Sequence, residues 1–205
     1  MGYGGTVLFR KNVVGLWVVQ QCRREWAREG YEYAYDDLTK MAQEAEPLKS
    51  LINPFASRFV KPGLMPQKVM DYCRETNQVS PKTHGEIIRC VLESLALAYR
   101  QVLGEIATVT GQRVRYLHIV GGGSRNRLLN QLTANATQMT VLAGPAEAAA
   151  VGNILVQAIA LGHLSSLTDL RRVVHRSFPI ASYQPEEVSD WPRAFEQFNQ
   201  LTIKT

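Results

Sequence analysis

Cysteine is scarce in this chain of 205 residues: there are three, an odd number, at positions 22, 73 and 90. That count excludes a framework of paired disulfides and suits a reducing compartment, so a cytoplasmic location is expected. No uninterrupted apolar stretch approaches the ~20 residues needed to cross a bilayer, and no membrane partner is expected. The opening residues Met1–Thr6 lack a charged region followed by an apolar core, so no secretory signal is read there. Basic residues outnumber acidic ones by 23 to 18, yet they are dispersed as Arg23-Arg24, Arg113 and Arg115, Arg125 and Arg127, and Arg171-Arg172. Neither a basic block nor an alternation of basic and aromatic residues is present, which argues against nucleic acid as a partner. Histidines 84, 118, 163 and 175 share no metal-ligand spacing with one another or with the cysteines, so no protein-held metal is expected. Internal repeats and low-complexity tracts are lacking as well.

What is present is concentrated between residues 114 and 152. An apolar strand, 114–120, runs into Gly121-Gly122-Gly123, and the Ser124-Arg125-Asn126 turn opens a helix. A strand ending on glycines lets a ligand approach the backbone with no Cβ in the way. The free amides of a helix start favour polar or anionic groups there. A second strand, 138–143, leads into Gly144-Pro145-Ala146-Glu147, which reads as the start of another helix, with Pro145 in its first turn and Glu147 near its positive end. Ala148, Ala149, Ala150 and Gly152 are expected to let that helix lie close against a neighbour. The residue types alone leave two readings open: a plain turn between strand and helix, or a nucleotide site.

These motifs resemble a known family. Gly121-Gly122-Gly123-Ser124-x-Asn126-x-Leu128-Leu129-Asn130-Gln131-Leu132, followed by Ala143-Gly144-Pro145-x-Glu147-Ala148 and then Gly152-Asn153-Ile154, is similar to the adenosine-binding half of the FGGY carbohydrate kinases. The stretch from Arg10 to Gln20, and Cys73-Arg74-Glu75-Thr76 with Cys90 beyond it, agree with this. The resemblance implies an α/β fold of the actin-like ATPase (ribonuclease H-like) class, helix-rich with a small sheet. The 205 residues would form one domain, the C-terminal and ATP-binding part of a two-domain sugar kinase whose N-terminal domain is absent from the sequence. It implies ATP with Mg²⁺ on its phosphates, and a ketose substrate phosphorylated at its 1-hydroxyl only in company with the other domain. Gly121, Gly122 and Gly123 would give close backbone approach to ATP, Asn126 a polar contact near adenine, and Asn12 and Gln20 the facing wall. Among relatives, a pair spaced like Cys73 and Cys90 could oxidise; packed core thiols are the simpler expectation here.

No catalytic residue is expected among the 205. Aspartates 36, 37, 71, 169 and 190 lie beside no strand-end glycine and are expected to face solvent or cap helices. The chain alone is therefore expected not to phosphorylate sugar, and the face turned to the other domain should be open or apolar and prone to self-association. A non-enzymatic nucleotide-binding or assembly module is an alternative. A Rossmann-type oxidoreductase is disfavoured, because Asn126 stands where a third glycine belongs and the strand ending at Ala143-Gly144 carries no acid for a ribose.

The remaining organisation follows from periodicity. A helix is expected from Arg10 to about Arg28, apolar all round at Val13–Val19, with Asn12 and Gln20 roughly 80° apart on it. A short helix over 36–46 should end at Pro47. A loop over 53–63 is anchored by Phe55 and Phe59, and a helix follows over 64–74. The stripe from Gly85 to Thr108 predicts an amphipathic helix covering the sheet of 114–120 and 138–142, with His118 a histidine of the strand. Helices over 145–162 and 166–176, and a last one in the tail near Trp191 and Phe195, complete the pattern.

Overall fold

A computed structural model describes Gly5 and residues 9–112, 114–186 and 188–203. Arg113, and the opening residues other than Gly5 that were read for a secretory pattern, lie outside the described residues. In chain order the elements are α1 (Trp17–Arg28), α2 (Tyr35–Glu44), α3 (Met65–Glu75), α4 (His84–Thr110), β1 (Tyr116–Ile119), α5 (Arg127–Thr137), β2 (Thr140–Ala143), α6 (Ala148–Ala160), α7 (Leu167–Ser177), β3 (Ala181–Tyr183) and α8 (Trp191–Ile203).

The core is helical and is organised by α4. Its start is written in the sequence as a reciprocal cap: the Glu86 amide donates to the Thr83 hydroxyl at 3.2 Å, and the Thr83 amide donates to the Glu86 carboxylate at 3.1 Å. Gly111, left-handed at φ +66°, ends it. From Ile87 to Ala98 every residue except Arg89 is buried, so this half is enclosed on all sides instead of showing one stripe. α4 packs against α2 and α5, with α1, α3 and α8 touching it too. The expectation that it covers the sheet is not met. At 27 residues it is roughly 40 Å long, whereas each strand has three or four residues. The small sheet is covered by α5.

α1 also departs from expectation. It begins at Trp17, not Arg10, because Gly15 takes φ +59° and breaks the helical run. Residues 9–14 have no regular structure, and Val13, Val14, Leu16 and Trp17 are half-buried against the core. In the tail, α8 proves to be a core element: Trp191, Ala194 and Phe198 are buried, and the Arg100 guanidinium lies 4.2 Å above the Phe195 ring.

β1 and β2 are parallel, with Tyr116 opposite Thr140 and Ile119 opposite Ala143, and α5 is the crossover between them. β3, a strand the periodicity did not show, pairs antiparallel with β2. β1 is an edge strand; His118 and Tyr116 are exposed on it and Leu117 and Ile119 half-buried. α6 starts three residues after Pro145 and buries none of its residues, with Ile154 65% exposed and Leu161, just past its end, 73%. A Cβ on Gly152 would meet nothing within 4 Å. The close packing expected of its small residues is not made within the described chain, where α7 is its main neighbour.

Cys22, Cys73 and Cys90 are free and buried, and the Cys73 and Cys90 thiols share a hydrogen bond. Beside them Glu93, 1% exposed, accepts from the Leu48 amide at 2.9 Å and from Arg89 Nε at 2.5 Å. Burial raises its carboxyl from 4.5 to about 7, against the opposing pull of the Arg89 guanidinium. A raised pKa means the folded state disfavours the ionised form, so this group's contribution is full below the unfolded value and lost as pH rises through about 7. Glu93→Gln is expected to remove a pH-dependent loss of order 3 kcal/mol, read as a urea midpoint that stays level across that window while the parent's falls.

Candidate functional site

The glycine turn is held from behind by the segment that follows β2. The Gly144 amide donates to the Ile119 carbonyl at 2.9 Å and the Gly121 amide to the Pro145 carbonyl at 3.1 Å. Gly-Pro-Ala thus clasps the turn instead of forming the first turn of α6. Gly144 must be glycine twice over: its φ is +120°, and a Cβ would lie 2.8 Å from the Pro179 carbonyl oxygen. Within the turn the Ser124 hydroxyl donates to the Gly121 carbonyl at 2.7 Å, and Asn130 Nδ2 donates to the Ser124 carbonyl at 2.9 Å.

The three glycines differ in what requires them. Gly121 has φ +75°, a left-handed backbone that glycine favours. Gly122 and Gly123 are not left-handed. A Cβ on Gly123 would make ordinary contact with Ile119 at 3.8 Å, and one on Gly122 would meet no atom within 4 Å. Neither backbone strain nor the chain's own packing demands glycine at 122. Its open side borders a cavity.

That cavity has a volume of about 1010 Å³, large enough for a drug-sized or nucleotide-sized ligand. One wall is the end of β1 and the turn, through Ile119, Val120, Gly122, Gly123, Arg125 and Asn126, continued by Arg127 and Leu129 of α5. Gly15 and Leu16 come from the turn that precedes α1, Gln20 from α1 and Tyr99 from α4, while Tyr35, Asp36, Thr39, Lys40 and Gln43 of α2 form the opposite side. Burial pushes the Tyr99 phenol above its ordinary value, so it stays neutral. Arg125 pairs with Glu147 at 3.1 Å across the clasp, but both side chains are 72% exposed, which makes the pair weak.

Of the residues expected at the site, Gln20, Gly122, Gly123 and Asn126 line this cavity. Gly121 sits one residue behind it in the clasp. Asn12 does not line it: the residue is exposed in the irregular segment before α1, so it shares no helix face with Gln20. Asn126 is the N-cap of α5, its Oδ1 accepting from the Leu129 amide at 2.9 Å. The wall made by α2 was not anticipated. Its polar residues recur at helical spacing opposite the buried Leu38 and Ala42, a pattern that reads as a solvated face until the fold shows what lies across from it. Among the described residues no group of three or more His, Cys, Asp or Glu is placed to hold a metal ion, and no helix is long and apolar enough to cross a membrane.

Residues 1–161 match the C-terminal domain of the FGGY family of carbohydrate kinases. The chain is 41% identical over 197 residues to a rhamnulokinase of Bacteroides thetaiotaomicron, covering 96% of this chain and 40% of that protein. It is 36% identical over 203 residues to a rhamnulokinase of Bacillus subtilis, covering 99% of this chain and 41% of that protein. It therefore spans about two fifths of the length of the curated relatives it matches. Among solved structures it is similar to a xylulose kinase from Rhodospirillum rubrum, with TM-score 0.61 and 23% identity, over 91% of this chain and 37% of that one. A Plasmodium falciparum glycerol kinase with ADP gives TM-score 0.60 at 13% identity, over 84% of this chain and 34% of that one. At such identities the likeness concerns the fold, which is the helix-rich, small-sheet domain of the actin-like ATPase class.

Proposed function

The chain belongs to the FGGY family of carbohydrate kinases, and from that premise we propose that its 205 residues are a single domain, the ATP-binding C-terminal part of a rhamnulokinase. The overall reaction would convert L-rhamnulose and ATP to L-rhamnulose 1-phosphate and ADP. The observation that carries the proposal is Gly122, a glycine required by no strain or contact of the chain, opening onto a cavity of about 1010 Å³ beside the start of a helix.

In this reading Gly122 and Gly123 let adenosine approach the backbone, Gly121 shapes the turn, the Asn126 amide donates to the nucleotide, and Gln20 meets it from α1. Asn12 is left out, since it lies away from the cavity. Holding the nucleoside fixes where the γ-phosphoryl group lies relative to an acceptor hydroxyl, and such transfers rely mostly on positioning and charge neutralisation. Mg²⁺ would supply charge neutralisation on the phosphates; the cavity offers one carboxylate, Asp36, so phosphate oxygens and not this chain would hold it. The relatives named rhamnulokinase and the three free cysteines support the choice of sugar and a cytoplasmic setting. α6, with no charged residue in its 13 and none buried, is suited to meet the rest of such a kinase or, when alone, a second copy of the chain.

None of the described aspartates stands at the glycine turn as a general base. Asp37 caps α2, accepting from the Ala34 amide at 2.8 Å, and Asp169 caps α7, accepting from Ser166 at 2.9 Å. Asp71 is engaged by Gln67 and Arg74, both at 2.8 Å, Asp190 lies exposed just before α8, and Asp36 is across the cavity. The 205-residue protein is thus expected to bind ATP in calorimetry and to show no turnover of L-rhamnulose in a coupled assay. Turnover in the range of ordinary enzymes, ~1–10³ per second, or no detectable ATP binding, would overturn the proposal.

A further inference from the structure

The α2 side of the cavity has no part in the reading above, on which this inference rests. Asp36, Thr39, Lys40 and Gln43 recur at helical spacing and all border the cavity. The Thr39 hydroxyl is spent on the Tyr35 carbonyl at 2.9 Å. Asp36 and Lys40 are not spent. Acid four residues before base is the favourable order for an intrahelical pair, yet neither enters an ion pair among the described residues, whereas Glu25 with Arg28 and Asp71 with Arg74 both close at 2.8 Å. Two adjacent carboxylates therefore differ: Asp37 caps the helix, and Asp36 faces the cavity unengaged.

The base on which Asp36 stands is fixed. Arg23 Nε donates to the Tyr33 carbonyl at 2.5 Å, and its guanidinium lies 4.9 Å from the Tyr35 ring centre. The Tyr33 hydroxyl is 3.0 Å from His84 Nδ1 at the start of α4. A charged side chain on an anchored first turn can discriminate between ligands, since little is lost in ordering it.

We propose that Asp36 reads the nucleobase of the nucleotide held at the glycine turn. An ionised carboxylate only accepts hydrogen bonds. It takes an N–H from the exocyclic 6-amino group of adenine and repels the carbonyl oxygen that a 6-oxo purine puts in the same place. Lys40, one turn along, attracts the nucleotide's negative charge whatever the base. Asp36 is thus a specificity-determining residue and takes no part in the transfer itself.

ATP and ITP differ only at the 6-substituent and in the proton that hypoxanthine carries on the adjacent N1, so titrating the full 205-residue chain with each by calorimetry isolates that edge of the base. The parent is expected to bind ATP about tenfold or more tightly than ITP, the scale of one hydrogen bond gained and one repulsion avoided. Asp36→Ala and Asp36→Asn should bring the ratio near one, mainly by weakening ATP. Lys40→Ala should weaken both and keep the ratio. Asp36 is exposed, so the variants should fold, which circular dichroism checks. A parent that binds ATP and ITP equally, or an unchanged ratio in both Asp36 variants, overturns this inference and leaves the nucleotide site standing. A parent that binds neither overturns the site and the inference together.

Discussion

Replacing Gly122 by valine is expected to abolish ATP binding by a chain that still folds. The added side chain meets no protein atom within 4 Å of its Cβ, and the backbone there is not left-handed. The cost to stability should therefore stay within the ~0.5 kcal/mol of an ordinary surface change. The two methyl groups, stiff about χ1, would instead occupy the space where the nucleoside meets the backbone. A loss of at least about a hundredfold in affinity, roughly 2.7 kcal/mol, is expected in calorimetry, with the urea midpoint nearly unchanged. Gly121→Ala makes the contrast: it strains a backbone at φ +75°, costing about 1 kcal/mol of stability, but adds no atom directly to the cavity wall. If folded Gly122→Val binds ATP as the parent does, the glycine turn is a plain connection and the nucleotide assignment fails.

Gly85→Ala should be the most damaging small substitution in the core. Alanine is favoured over glycine within a helix by about 1 kcal/mol, and on local grounds the change would stabilise α4. The tertiary contact reverses the sign. A Cβ at 85 would lie 2.4 Å from the Met41 carbonyl oxygen and 2.8 Å from its carbon, where α2 and α4 approach backbone to backbone. Neither group can swing aside as a side-chain tip could, so the helices must separate, and overpacking of this kind costs about 1–3 kcal/mol. For a protein of this size that corresponds to a fall in Tm of roughly 2–4 °C per kcal/mol, measured by calorimetric or circular-dichroism melting. Because α2 is also one side of the cavity, ATP affinity should fall with it. A Tm equal to or above the parent's would show that the two helices do not meet as described.

Helix caps, turn chemistry and the strand-glycine-helix order are local, and the sequence by itself determined them. Thr83 with Glu86, and Ser166 with Asp169, mark helix starts because a side chain and an amide three residues apart satisfy each other without help from the rest of the chain. The run from Gly121 to Leu132 likewise carried the family resemblance, and with it the fold class and Gly122, Gly123 and Asn126, three of the four expected residues that border the cavity. Tertiary structure decided the rest. Gly15 could have sat within a longer α1, but its left-handed backbone ends the helix and takes Asn12 away from the site. α4 looked like a sheet-covering helix and became the centre of a helical layer, since periodicity shows how much of a helix is apolar and not which neighbour covers it. The polar face of α2 was indistinguishable from a solvated one, because a residue's hydropathy is the same whether it faces bulk water or a cavity of about 1010 Å³. What separates those cases is the backbone packed across from it, and that is set by contacts such as Gly85 on Met41, 44 residues apart in the chain, which no local pattern encodes.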